Sequence, residues 1–331
     1  MRVLVTGASG FLGQYLVIEL LDAGYKVRGT YHTPSKKDLL EKIGVEPVRF
    51  DLADESTFPR VVENIDAIIH LAAYYTFTGK KELYRKLNID ATEKLARAAI
   101  KKNVDRFIYC SSTEAIGPVD NPPGDENSPS NPQNEYGKSK LEAEKRIISL
   151  AREGLKYTII RPSGLYGPGN INDVSYWFIT GYAKRGLPSK VMIGDGKAYI
   201  QFAHVKDVAR GFRLALENDE ASFNEVFIIS EDRYYTYQEV YEILYKITGI
   251  EPPKIKLSPG LARFLLTFTE IYDKLKGEGN IMYRRMIVDS VTKHRAYSIR
   301  KAMSKLGYMP QYNLEKGLRE TIDWYREKGY I

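Results

Sequence analysis

Apolar residues along this chain alternate between two patterns. Short runs that are apolar on both faces fall at Arg2–Thr6, Lys26–Thr30, Pro47–Phe50, Ala67–Leu71, Arg106–Cys110 and Tyr157–Arg161, the pattern of strands buried in a parallel sheet. Between them, apolar residues at helical spacing predict helices over Phe11–Ala23, Glu55–Asn64, Lys81–Lys101 and Glu135–Arg152. Strand–helix alternation of this kind predicts an α/β fold with a doubly wound parallel sheet of the Rossmann type. After Arg161 the rhythm breaks. Ser163–Gly169 is loop chemistry, Thr236–Thr248 and Leu314–Lys328 read as helices, and Pro252-Pro253 and Gly277-Glu-Gly279 punctuate the segment. Val226–Ile229 is one more apolar strand, expected to return to the main sheet. The expected division is a dinucleotide-binding domain of residues 1–162 with about 200–230. Residues 163–199 with about 231–331 would form a smaller, mostly helical substrate domain.

Composition narrows the class. Of 331 residues, 43% are hydrophobic and 27% charged, which supplies a sizeable core and excludes a disordered or fibrous chain. No run approaches the ~18 apolar residues of a membrane span. Met1-Arg2 leads straight into Val3-Leu4-Val5, so a cytoplasmic protein without a membrane partner is expected. A single cysteine, Cys110, excludes an internal disulfide framework, and the four histidines lack metal-ligand spacing, so no metal is expected. The net charge is +7, but the basic residues are scattered in pairs at most, so nucleic acid is not an expected partner.

The candidate chemistry begins at Thr6-Gly7-Ala8-Ser9-Gly10-Phe11-Leu12-Gly13, where the first strand turns into the first helix. Gly7 permits the tight turn, Gly10 lets backbone approach a pyrophosphate, and Gly13 lets helix and strand pack closely. Gly7, Ser9, Gly10, Phe11, Leu12 and Gly13 thus form a candidate phosphate cradle at a helix N-terminus. The second strand exits as Thr30-Tyr31-His32-Thr33-Pro34-Ser35-Lys36, with no carboxylate to hold a ribose 2′-hydroxyl. That exit favours NADP over NAD, with His32 and Lys36 as candidate contacts.

Glu135-Tyr136-Gly137-Lys138-Ser139-Lys140 opens a helix on which Tyr136 and Lys140, four apart, share a face. A free phenol, with a pKa of ~10, is a poor base, and a nearby ammonium is expected to lower it. Ser112 follows the fifth strand, where a hydroxyl could share the substrate oxygen with Tyr136, and Arg161-Pro162 ends the sixth.

With these residues assembled, the chain resembles the extended short-chain dehydrogenase/reductases, the NAD(P)-dependent epimerase/dehydratase family. The resemblance spans nearly the whole length. It rests on Thr6-to-Gly13, Asp51-Leu52, His70-Leu71-Ala72-Ala73, Asn88, Ser111-Ser112, Tyr136-x-x-x-Lys140, Arg161-Pro162, Tyr166-to-Gly169 and Phe202-to-Val208. It implies an enzyme in which Tyr136 is the acid/base, Lys140 positions the nicotinamide ribose and Ser112 orients the reacting oxygen. It further implies cofactor contacts from Asp51, Leu52, Leu71, Ala72, Ala73 and Pro162, and structural roles for His204 and Asp207.

The branch is less direct. Ile200 stands where nucleotide-sugar members typically carry an arginine for the diphosphate, and Lys293-to-Tyr297 replaces their Arg-Pro-Gly-Asp. These absences resemble dihydroflavonol reductases and 3β-hydroxysteroid dehydrogenases, as do Pro118–Pro123 and Tyr74-Tyr-Thr-Phe-Thr78. Glu114 points the other way, because it stands where a sugar 4,6-dehydratase places its base. The expected function is hydride transfer between NAD(P) and a secondary alcohol or ketone; a nucleotide-sugar epimerase or dehydratase is the alternative. A cofactor-binding regulator without turnover is disfavoured by the intact Ser112, Tyr136 and Lys140. Leu261–Leu275 reads as an apolar helix, expected to be core packing, with a wall over an apolar substrate as its functional alternative. A homodimer is expected through Lys81–Lys101 and Glu135–Arg152, which carry Leu83, Leu87, Leu95, Leu141 and Ile148.

Overall fold

The computed structural model describes residues 1–76, 79–276 and 284–331, and for 273–276 the backbone alone. Phe77, Thr78, the side chain of Leu275 and the Gly277-Glu-Gly279 punctuation lie outside the described residues.

The main sheet has seven strands: β1 (Arg2–Thr6), β2 (Lys26–Tyr31), β3 (Glu46–Arg49), β4 (Ala67–His70), β5 (Arg106–Cys110), β6 (Tyr157–Pro162) and β7 (Glu225–Ile229). Their order is β7-β6-β5-β4-β1-β2-β3, and every pairing is parallel. The chain steps outward from β1 to β3, then returns to place β4 on the other side of β1. The connections leaving β1 and β4 therefore diverge, and a crevice opens at their carboxyl ends, beside Thr6 and His70.

Alternation along each strand sorts the core into two layers. Val3 and Val5 face α1 (Phe11–Asp22), where they join Leu16 and Val17. Leu4 faces Leu95 and Ala99 of α2 (Ala91–Lys101) and Ala143 and Ile147 of α3 (Glu135–Leu150). All of these side chains are fully buried, each contributing about 1.5–3 kcal/mol if large and aliphatic. A further helix, α4 (Val205–Glu217), covers the first layer with Val208 and Phe212. Val205, Val208, Ala209 and Phe212 carry its helical spacing in the sequence. A third apolar cluster gathers residues from the second half of the chain, including Tyr182, Tyr241, Leu244, Leu318 and Tyr325.

Three expectations change. Lys81–Lys101 is not one helix: α-turns at Lys81–Tyr84 give way to a π-helical stretch over Arg85–Asp90 before α2 begins. Apolar spacing cannot register that extra residue per turn, which is accompanied by full burial of Asn88. Leu95 is buried within the monomer, and the outer faces of α2 and α3 carry an ion-pair chain, Arg97–Glu93–Arg146–Glu142. Of the proposed dimer edge, Ile148 alone is strongly exposed. Finally, α5 (Pro259–Lys276) is not packed by its large apolar stripe. It packs through Ala262 and Leu266 against Ile287 and Val288. Leu261, Phe264, Leu265, Phe268, Ile271 and Tyr272 face outward, each 46–61% exposed.

Candidate active site

The loop after β1 is fixed from three sides. The Thr6 hydroxyl meets His70 Nδ1 at 2.7 Å and accepts from Ala72 N at 3.1 Å, while Gly7 N donates to Thr30 Oγ1 at 2.9 Å. Gly7 has φ of +70°, and a Cβ there would come within 3.0 Å of Ala72 N; a Cβ on Gly13 would lie 2.1 Å from Gly7 O. No other residue fits either position without moving backbone. Gly10 then caps α1, and the first-turn N–H groups of Phe11, Leu12 and Gly13 have no intrahelical acceptor. Ser9 and Phe11 flank the opening, and the turn Gly167–Gly169 approaches it, Gly169 lying against the Phe11 ring. This cradle fits the pyrophosphate of a dinucleotide.

At the β2 exit His32 is exposed, with Nε2 3.4 Å from the Asp51 carboxylate, which also accepts from Ala53 N at 2.8 Å. A carboxylate that spacing along β2 does not reveal thus arrives from the end of β3. Lys36 lies exposed in the turn Pro34–Lys36. Leu71, Ala72 and Ala73 leave β4 along the crevice, and Leu52 packs beneath with Ala72. Pro162 closes β6 opposite Ile229.

Three catalytic candidates meet at the crevice. Asn134 caps α3 by accepting from Gly137 N at 2.8 Å, which sets the helix start and the direction of Tyr136 and Lys140. A Cβ on Gly137 would lie 2.3 Å from Glu114 O, so glycine lets α3 seat against the loop after β5. Lys140 is buried, and its ammonium donates to Cys110 O at 2.7 Å, below the rings of Tyr109 and Tyr136 at 4.8 and 5.6 Å. One of its three donors is used there, and burial lowers its pKa. Ser112 Oγ accepts from Glu114 N at 3.1 Å, which leaves the hydroxyl hydrogen free to point at a substrate oxygen. Asn88 holds the opposite wall: it accepts from Tyr74 N at 2.7 Å and donates to Tyr74 O and Ser139 Oγ, both at 3.0 Å.

The expected depression of the tyrosine does not hold in this geometry. Burial pushes the Tyr136 phenol well above its ordinary pKa, with Cys110, Asp173 and Glu114 adding in the same direction. The ammonium that would oppose them is turned toward the Cys110 carbonyl. Burial in this geometry therefore favours the protonated form of the Tyr136 phenol.

Glu114 is tied at both oxygens: Arg295 Nη1 lies 2.5 Å from Oε1, and Asn134 Nδ2 donates to Oε2 at 2.7 Å. Arg295 is itself buried. Across the mouth, the Tyr75 hydroxyl donates to the Asp173 carboxylate, and the Tyr75 ring meets the Tyr136 ring edge-on at 4.9 Å. Asp173 also caps the helix Val174–Ala183.

Residues 3–230 match the model of the NAD dependent epimerase/dehydratase family. This chain belongs to that family. It is 28% identical over 341 residues to a 3 beta-hydroxysteroid dehydrogenase/Delta 5-->4-isomerase of Mycobacterium tuberculosis, covering 98% of this chain and 90% of that one. It is 28% identical over 338 residues to a sterol-4-alpha-carboxylate 3-dehydrogenase of Dictyostelium discoideum, covering 96% and 99%. Its fold matches a UDP-glucose 4-epimerase of Thermotoga maritima solved with UDP-glucose, at a TM-score of 0.78, 26% identity and 99% coverage of both chains. The protein is thus an enzyme of the NAD dependent epimerase/dehydratase family with a Rossmann-type sheet.

In this family member the fold gathers Ser112, Tyr136, Lys140 and Glu114 at one crevice, as the sequence spacing suggests. Sequence spacing gives no chemical role to Tyr75, Asp173 or Arg295. Asp173 carries a signal in retrospect, as an acidic cap before an apolar helix. Asp207 accepts from Gln311 N and Tyr312 N at 2.9 Å each, and the Tyr312 ring stacks on His204 at 3.7 Å. Both therefore anchor the C-terminal segment.

Proposed function

We propose that this enzyme is a cytoplasmic net oxidoreductase that reduces an apolar or lightly oxygenated ketone to a secondary alcohol with NADPH, and runs the reverse reaction when the alcohol is supplied. Residues 1–162 with about 200–230 would hold the cofactor, and 163–199 with about 231–331 the substrate. The observation that carries the reading is the Glu114–Arg295 pair. Arg295, a buried guanidinium, pairs with Glu114 through Nη1, and Ile200 stands where a diphosphate partner is expected. A sugar diphosphate would lose a charge-assisted contact there, about 1.5–3 kcal/mol. The same pair occupies the one carboxylate that suggested a dehydratase.

When bound, the nicotinamide supplies the hydride to the carbonyl carbon. Tyr136 gives its proton to the carbonyl oxygen, Ser112 donates a hydrogen bond to that oxygen, and Lys140, with two donors left beyond Cys110 O, would hold the nicotinamide ribose. His32, Ser35 and Lys36 at the β2 exit support NADP(H) over NAD(H), expected to bind several-fold tighter. A two-fold dimer through the outer faces of α2 and α3 completes the proposal, and light scattering at micromolar concentration tests it.

Calorimetry with UDP and GDP tests the substrate class, alongside NADPH oxidation over a panel of ketones. Weak nucleotide binding with turnover of an apolar ketone is expected. Micromolar affinity for either nucleotide overturns the reading in favour of a nucleotide-sugar epimerase.

A further inference from the structure

α5 presents a surface that the redox chemistry does not use. Leu261, Phe264, Leu265, Phe268 and Ile271 recur at helical spacing and all point outward, with Phe264 and Phe268 in edge contact at 5.2 Å. Isolated exposed apolar residues are ordinary, but a continuous stripe along three turns marks a surface for contact. The helix is attached by little: among its described side chains Ala262 and Leu266 are the buried ones, in a small cluster with Ile287 and Val288.

We infer that α5 is an interfacial helix, which lays its outer face into the surface of an anionic phospholipid bilayer. Size favours this over a second copy of the chain. The exposed stripe runs from Leu261 to Tyr272, so it is ~18 Å long and ~10 Å wide, roughly 200 Å². A stable dimer needs about 800 Å² from each partner. An aromatic-rich face of this size is what a helix buries at the headgroup boundary. No helix among the described residues is long and apolar enough to cross a membrane, so the contact is peripheral.

Charge favours an anionic surface. Lys256 is exposed three residues before the helix, while Arg263 and Arg285, both exposed, pair with Asp289 at 2.6 Å and Glu270 at 2.9 Å. The chain as a whole carries +7. The cluster under α5 includes Val174, the neighbour of Asp173, and Ile287–Val288, which begin the segment leading to Arg295. α5 is thus anchored beside the residue that follows Asp173, so its seat is continuous with the proposed substrate half of the chain.

Flotation of the full chain with vesicles, without substrate or cofactor, tests the inference independently of the reaction. Binding is expected to phosphatidylcholine vesicles containing phosphatidylglycerol, weakened by salt. Phe264→Ser with Phe268→Ser should reduce partitioning at least ~10-fold. Both residues are exposed, and an unchanged melting curve and unchanged cofactor quenching verify that the variant is folded. Absence of wild-type binding, or binding unaffected by the two substitutions, overturns the inference. So does a dimer that the same substitutions dissociate while vesicle binding is absent, because the face would then join two copies of this chain.

Discussion

Helices α3 and α5 are of similar length, 16 and 18 residues, and they bury opposite kinds of side chain. α3 turns Ser139, Lys140 and Glu144 inward, each no more than 2% exposed. Each has a fixed partner: Asn88 for Ser139, the Cys110 carbonyl for Lys140, and Arg161 for Glu144 at 2.6 Å. α5 instead turns its large apolar residues to solvent and buries Ala262 and Leu266. Both arrangements cost free energy in an isolated chain, through desolvation of polar groups in the first and hydration of apolar ones in the second. A residue set that departs from the inside–outside rule reports on something outside the chain. In the proposed reading that is a cofactor and a substrate oxygen for α3 and a bilayer surface for α5.

The largest expected effect breaks the α3 side of the comparison. Tyr136→Phe preserves the ring and its edge contact with Tyr75 and removes the proton. Turnover should fall at least ~100-fold while cofactor affinity stays nearly constant. Steady-state rates and fluorescence titration of the cofactor separate the two; near-normal turnover would remove Tyr136 from the chemistry.

Stability tests the two faces of α5 against each other. Leu266→Ala opens a cavity in a small core and should cost about 2–3 kcal/mol. Phe268→Ala, although it removes more atoms, should change stability by less than ~0.5 kcal/mol because its ring is already in water. Urea midpoints decide it, and equal losses would mean that Phe268 is packed in solution.

A pH titration sharpens the cost of the polar floor. Burial pushes His70 down to about 3, with the Lys140 ammonium adding to the effect. The unfolded chain binds a proton at His70 below about pH 6.5 and the folded chain does not. Stability from this group is complete above that value and is lost as pH falls toward 3. His70→Asn should therefore flatten the acid limb by about one proton, or about 1.4 kcal/mol per pH unit between about pH 4.5 and 6.5. Parallel stability curves for the two proteins would show that His70 is not buried neutral.

Local patterns in the sequence reach far into this structure. The six early strand runs and Val226–Ile229 all form main-sheet strands, with bounds shifted by one residue at β2, β3, β4, β6 and β7. The glycine loop and the shared face of Tyr136 and Lys140 rest on spacings of a few residues, which backbone geometry fixes directly. What stays hidden depends on chain distance or on sidedness. Asp51 meets His32 from the neighbouring strand, and Arg295 reaches Glu114 across 181 positions; no local spacing encodes either contact. The spacing in α5 shows a stripe at once, but periodicity is blind to whether a stripe faces core or water. The Tyr136 pKa follows the same logic, since the sequence places an ammonium four residues away but not the carbonyl that claims it.

The smallest expected effect concerns Glu114, which sits between the polar floor and the substrate. As a proton-abstracting base it would have to present a free carboxylate oxygen to a carbon next to the reacting carbonyl. Both oxygens are instead engaged, by Arg295 and Asn134. Glu114→Gln keeps the shape, retains an oxygen for Arg295 and removes the charge. If Glu114 only holds the loop that carries Ser112, turnover should fall less than ~10-fold, and the loss should appear mainly in KM as the loop loosens. Loss of a general base would cost ~100-fold or more in kcat. The conservative variant distinguishes the two because its effect on kcat and KM differs in kind as well as in size. A large kcat loss would return Glu114 to the chemistry and with it the sugar-dehydratase alternative, while a small one places it with Asn88 among the residues that shape the site without touching the reacting atoms.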